Sequence, residues 1–152
     1  MRSPDFFRHI IISNFFQLIT IWHWLPERMT MAEPELIYSS NQHGISLTTF
    51  YTRSEKYEPT ILVIKTTENE VFGAYCSTTW ATRNEKDDQG RRQHYFGTGE
   101  TFLFTFATGT PARYTWVNAD KTDDERTGTK AEEHQKELFM CGKTDMVAIG
   151  GG

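Results

Sequence analysis

Hydrophobic and polar positions along this chain follow two periods. From Thr60 to Thr66 the stretch TILVIKT is β-branched and apolar on both faces, which predicts a central strand. Glu68-Asn69-Glu70 turns the chain, and Val71–Thr78 returns as the hairpin partner. Gly73 inside that partner predicts a bulge or a close backbone approach. Phe102, Phe104 and Phe106 alternate with Thr101, Leu103 and Thr105, so Phe96–Phe106 reads as a third strand, its phenylalanines facing the core. Arg113–Asn118 reads as a fourth, after the turn at Gly109-Thr110-Pro111. Leu138–Cys141 and Met146–Ile149 read as two more short strands.

Helical spacing appears near the N-terminus. Ile10–Leu25 is apolar nearly all round, and a helix of that kind wants cover on more than one face. Ser13, Asn14, Gln17, Thr20 and His23 interrupt it, and it is shorter than the ~20 residues a membrane span needs. No small-residue cleavage site follows it, which argues against a signal peptide. Glu35–Ser39 reads as a short strand or extended lead-in. Ser46 caps a second helix carrying Leu47, Phe50 and Tyr51, which stops before Pro59. Arg83–Gln93 reads as a solvated loop. So does Ala119–Glu137, which holds seven acids and four bases and no large apolar residue. Strands dominate and helices gather at one end, so the fold class is α+β.

Composition narrows the function. At 152 residues the chain is one domain with room for a core, and 38% hydrophobic content favours a folded chain. A net charge of −4 without a basic stripe argues against nucleic-acid binding. Cys76 and Cys141 form no C-x-x-C pair, so a disulfide framework or zinc knuckle is not expected, and the reading is a reduced, cytoplasmic protein. His9, His23, His43, His94 and His134 are scattered, without metal spacing. Asp87-Asp88 is an acidic pair in a polar loop, where nothing raises a pKa. No cofactor is expected.

The stretch HYFGTGETFLFTF (94–106) raises the sharpest question. Gly97 and Gly99 resemble the start of a phosphate-cradling loop, but Phe102 replaces the third glycine and strand spacing follows. A tight turn into a strand is the better reading, with Glu100 a partner for backbone N–H groups or an arginine. Cys76 alternates with buried-type residues and reads as a small core hydrophobe. Cys141, beside Gly142 near a loop, reads as more open and is a candidate redox thiol.

Five stretches, NQHGISLTTFY (41–51), PTILVIKTTENEVFGAYCSTTW (59–80), YFGTGETFLF (95–104), YTWV (114–117) and ELFMCGKTDMVAIGGG (137–152), resemble the TLDc domain in the family's order. TIWHWLPERM (20–29) resembles the TBC-linked, Skywalker-type branch. The resemblance implies a two-sheet antiparallel β-sandwich flanked by helices and no established catalytic activity. Its implied partners are proteins: the vacuolar-type proton pump and, through a separate TBC domain, Rab or Arf GTPases in vesicle traffic, with at most peripheral membrane association. It also implies a link to oxidative-stress resistance. GTPase activation belongs to the TBC domain, which nothing here matches. The structural or interface candidates that resemble the family are Gly73, Gly97, Gly99, Glu100, Gly150 and Gly151.

Two departures set further expectations. Residues 1–20 read as a divergent helical segment ahead of a TLDc-like region over 21–152. Family members continue past the glycine run with further strands, so the sandwich is expected to lack its last strands and to leave strand edges open. The alternatives to an interaction module are a redox-active thiol protein using Cys141 and a truncated, non-functional fragment.

Overall fold

The computed structural model describes residues 15–86, 88–92, 95–115 and 139–150. Expectations for Asp87, His94, Trp116–Asn118, Ala119–Glu137, Leu138, Gly151 and residues 1–14 lie outside these.

Helices come first. Helix α1 spans Phe15–Trp24 and is followed by a 3₁₀ turn, Glu27–Met29. A short helix α2, Ser40–His43, stands where no helix is predicted; Ser39 N–H donates to His43 Nδ1 at 3.0 Å and closes its first turn. Helix α3 spans Leu47–Ser54, and its cap is as predicted: Thr49 N–H donates to Ser46 Oγ at 3.3 Å, a contact worth about 1 kcal/mol. Glu35–Ser39, expected as a short strand or extended lead-in, forms no strand.

Two antiparallel sheets follow, in keeping with an α+β class. The larger runs β1 (Thr60–Lys65), β2 (Val71–Cys76), β3 (Phe102–Thr105) and β4 (Ala112–Tyr114), in that spatial order. The smaller pairs β5 (Met140–Gly142) with β6 (Val147–Ile149). The hairpin turns at Asn69, which takes φ 65. Val63 lies opposite Gly73 in unbroken register, so Gly73 makes a close approach rather than a bulge. A Cβ there would lie 2.0 Å from Leu62 O and 2.6 Å from Phe104 Cζ.

Three expectations are corrected. First, β1 is an edge strand among the described residues, not a central one. Its double apolar face has another cause: Ile61 and Val63 pack beneath α1, and Leu62 packs toward Phe50 and Trp80, so both faces are partly covered, though Ile64 stays exposed. Second, Phe96–Phe106 is not one strand. Phe96 bridges to the smaller sheet, with Phe96 N–H donating to Met140 O at 2.8 Å and Met140 N–H to Phe96 O at 2.7 Å. Strand β3 begins only at Phe102. Third, Arg83–Gln93 is not wholly a solvated loop. It begins inside a 3₁₀ segment, Trp80–Asn84, which buries Trp80.

The core therefore has two compartments. Between the sheets lie Phe50, Tyr51, Ala74, Cys76, Trp80, Phe96 and Met140. Under α1 lie Ile21, Leu25, Tyr75, Phe102 and Phe104. The phenylalanines of β3 thus face the helix layer, and Leu103 faces the smaller sheet. Among the described residues helix α1 is covered on one side, with Phe15 72% and Phe16 62% exposed.

Candidate functional site

Glu100 sits at a corner built by a glycine turn. Gly97 takes φ 99, a backbone that side chains with a Cβ rarely adopt. A Cβ at Gly97 would also press Met140, whose Cγ and Sδ lie 3.2 Å away. Gly99 occupies the turn that follows. Hydroxyl groups lock the corner from beneath. Thr98 N–H donates to Ser77 Oγ at 3.0 Å, and Ser77 Oγ lies 2.8 Å from the buried Thr101 Oγ1. Thr101 N–H donates to Thr98 O at 3.0 Å. With its backbone held, the Glu100 side chain projects outward.

Its partner is Arg28, on the 3₁₀ turn that leaves α1. Arg28 Nη1 donates to Glu100 Oε1 at 2.7 Å, and Nη2 donates to Oε2, a two-point fork. The hydrogen bonds from Arg28 hold the Glu100 carboxyl below the usual carboxylate range, against the opposing effect of burial. Arg28 is raised in turn, first by the same hydrogen bond. Both side chains remain open to solvent, at 59% and 44% exposure. An ion pair this exposed contributes little to stability. Beneath it, Tyr75 stacks on Phe102 with ring centroids 5.2 Å apart. The Tyr75 hydroxyl is buried without a partner among the described residues, and burial pushes its pKa up, with the Glu100 charge adding to the effect.

The other predicted residues do not join this corner. Gly73 serves the sheet. Gly150 takes φ 91 and sits where a Cβ would meet Leu103 Cδ1 at 3.0 Å, a packing role between the sheets. Gly151 lies outside the described residues. Cys141 is not open: it is 3% exposed on β5, so the accessibility behind the redox reading is absent. Cys76 is fully buried, and burial pushes its thiol up to about 12. Among the described residues no group of three or more metal-ligating side chains converges. Nor is any described helix long and apolar enough to cross a membrane.

Two clusters escaped sequence reasoning. Arg28 lies 72 positions from Glu100, and nothing local marks it as the partner. Arg83 lies over the Tyr51 ring at 4.1 Å, and its Nη1 donates to Glu55 Oε2 at 3.1 Å and to Trp80 O at 2.8 Å. The one sequence signal for that cluster is Gly142, where a Cβ would lie 2.9 Å from Arg83 Cδ.

Comparison with known proteins identifies the fold's lineage. The TLDc domain profile matches residues 7–152. This chain belongs to the TLDc family. It is 54% identical over 135 residues to GTPase-activating protein skywalker of Drosophila melanogaster, covering 89% of this chain and 22% of that protein. It is 35% identical to TBC1 domain family member 24 of Xenopus tropicalis, covering 87% of this chain and 28% of that protein. A more distant relative is Oxidation resistance protein 1 of Xenopus laevis, at 32% identity over 84% of this chain and 12% of that protein. The resemblance to the TBC-linked branch is thus matched by its relatives. The chain spans between a fifth and a third of the length of the first two.

Proposed function

We propose that this chain is a non-catalytic interaction module of a vesicle-trafficking or oxidative-stress-resistance protein. In the longer protein it works beside a GTPase-activating TBC domain that acts on Rab or Arf GTPases. Its own contribution is to dock a protein partner, the vacuolar-type proton pump, at the cytoplasmic face of vesicle membranes. The observation that carries the reading is the Glu100 corner. A glycine turn and a part-buried hydroxyl network fix the backbone, yet the charged side chain they present is open to solvent. A group held that firmly and contributing so little to the fold is suited to recognition, where preorganisation lowers the cost of binding. Similarity to skywalker, TBC1 domain family member 24 and Oxidation resistance protein 1 supports the trafficking and stress-resistance context.

The test is capture of the solubilised vacuolar-type proton pump by the purified 152-residue chain. Saturable capture that is lost on heat denaturation of the chain is the expected result. No capture by the folded chain overturns the pump as partner.

A further inference from the structure

We propose that a second, cationic cleft binds the phosphate group of a small phosphorylated molecule. The cleft, of about 490 Å³, lies between α3, the end of the 3₁₀ segment Trp80–Asn84 and the β5–β6 turn. Its floor is the buried pair Tyr51 and Cys141, and its rim is exposed. Three cations line it: Arg83, Arg92 and Lys143. Asp145 is the one carboxylate in the lining, and Glu55 faces Arg83 from α3's end. This balance is notable in a chain of net charge −4.

The three cations are not equivalent. Arg83 is set in place by the Tyr51 ring, Glu55 and Trp80 O, and both hydrogen bonds use Nη1. Its Nη2 and Nε–H remain for a ligand. Arg92 and Lys143 make no side-chain hydrogen bond or ion pair among the described residues. Arg92 is held only through its backbone bridge to Lys86, and Lys143 by its N–H donating to Met146 O at 2.8 Å. An arginine already fixed in orientation, with two unpaired cations beside it, is an arrangement that favours a phosphate dianion. Gly142 leaves room at the floor for the Arg83 and Tyr51 side chains. A Cβ there would press Arg83 Cδ at 2.9 Å and Tyr51 Oη at 3.0 Å. Hydroxyls of Thr48 and Thr144 on the rim add donors. The cleft is open to solvent along its rim. It stands apart from the Glu100 corner, so the proposal does not depend on the interaction reading.

The test is amide-resolved NMR of the 152-residue chain, titrated with inorganic phosphate at constant ionic strength against a chloride control. The expected result is saturable shifts at Tyr51, Gly142, Lys143 and Thr144, with binding weakened about tenfold or more in R92Q/K143Q. Both substitutions lie on exposed side chains that make no hydrogen bond or ion pair among the described residues, so the fold is expected to be retained. D145N is expected to tighten binding. Linear, unsaturable shifts spread over all basic residues overturn the proposal. So does saturable binding that R92Q/K143Q leaves unchanged.

Discussion

Two arginine–carboxylate pairs among the described residues, Arg83–Glu55 and Arg28–Glu100, differ in nearly every respect that matters. Arg83–Glu55 is enclosed, with side chains 16% and 30% exposed. A tyrosine ring lies under the guanidinium, and a backbone carbonyl shares its donor. Arg28–Glu100 has the tighter two-point fork, yet both side chains stand in solvent. Geometry alone would rank the second pair higher. Solvent screening reverses that order, because an exposed pair gains little and an enclosed one leaves uncompensated groups behind when broken. Arg83 therefore belongs to the fold, and Glu100 is available to a partner.

The largest expected effect is alkaline. Cys76 is held up to about 12 by burial, against an ordinary value of 9.0. Burial also raises Tyr51, the ring beneath Arg83, and Tyr75, the ring beside the Arg28–Glu100 pair. Each group ionises at lower pH in the unfolded chain than in the folded one. Their contributions are thus complete below the unfolded values and fade as pH rises toward the folded ones. Denaturant melts should show stability falling from about pH 9 upward. C76A, though it leaves a small cavity, should remove the thiol's share of that slope and flatten its onset.

Next comes Arg83→Ala. It strips Glu55, Trp80 O and the Tyr51 face of their partner, and a loss of about 2–3 kcal/mol is expected in urea denaturation. Gly142→Ala attacks the same pair indirectly, by pushing Arg83 from Tyr51, and about 1–2 kcal/mol is expected. Equal stability of wild type and Arg83→Ala would remove the contrast between the two pairs.

Glu100→Ala should have the smallest effect on folding, indistinguishable from wild type in the same melt. Its effect on binding should be large and acid-sensitive. Arg28 holds the carboxyl below its usual range, so the charge persists below the ordinary carboxylate pKa. It is lost only as pH falls through the lowered value. Pump capture measured down the acid range should therefore persist through the ordinary carboxylate range before it fails.

Much of this was legible in the sequence, and the rest was not for identifiable reasons. The TILVIKT–VFGAYC hairpin, the Ser46 cap and the glycine turn before β3 are local, and local chemistry announces them. The position of β1 at an edge was misread because apolar faces report which layers cover a strand, not which strands flank it. Phe96 was drawn into β3 because period two cannot show a change of partner sheet. At the candidate site, Gly97 and Glu100 were readable from turn chemistry. Arg28 was not, since its pairing depends on α1 crossing the sheet so that the following turn reaches the corner. Cys141 looked open beside Gly142, yet that glycine admits Arg83 and Tyr51 rather than solvent.

The most direct test of the central claim is a paired measurement on one preparation of Glu100→Ala: affinity for the vacuolar-type proton pump and near-UV circular dichroism with a thermal melt. The account predicts an unchanged spectrum and melt together with a loss of binding of about tenfold or more. Full binding by a folded Glu100→Ala chain would contradict it, and a collapsed melt would place Glu100 in the fold instead of at an interface.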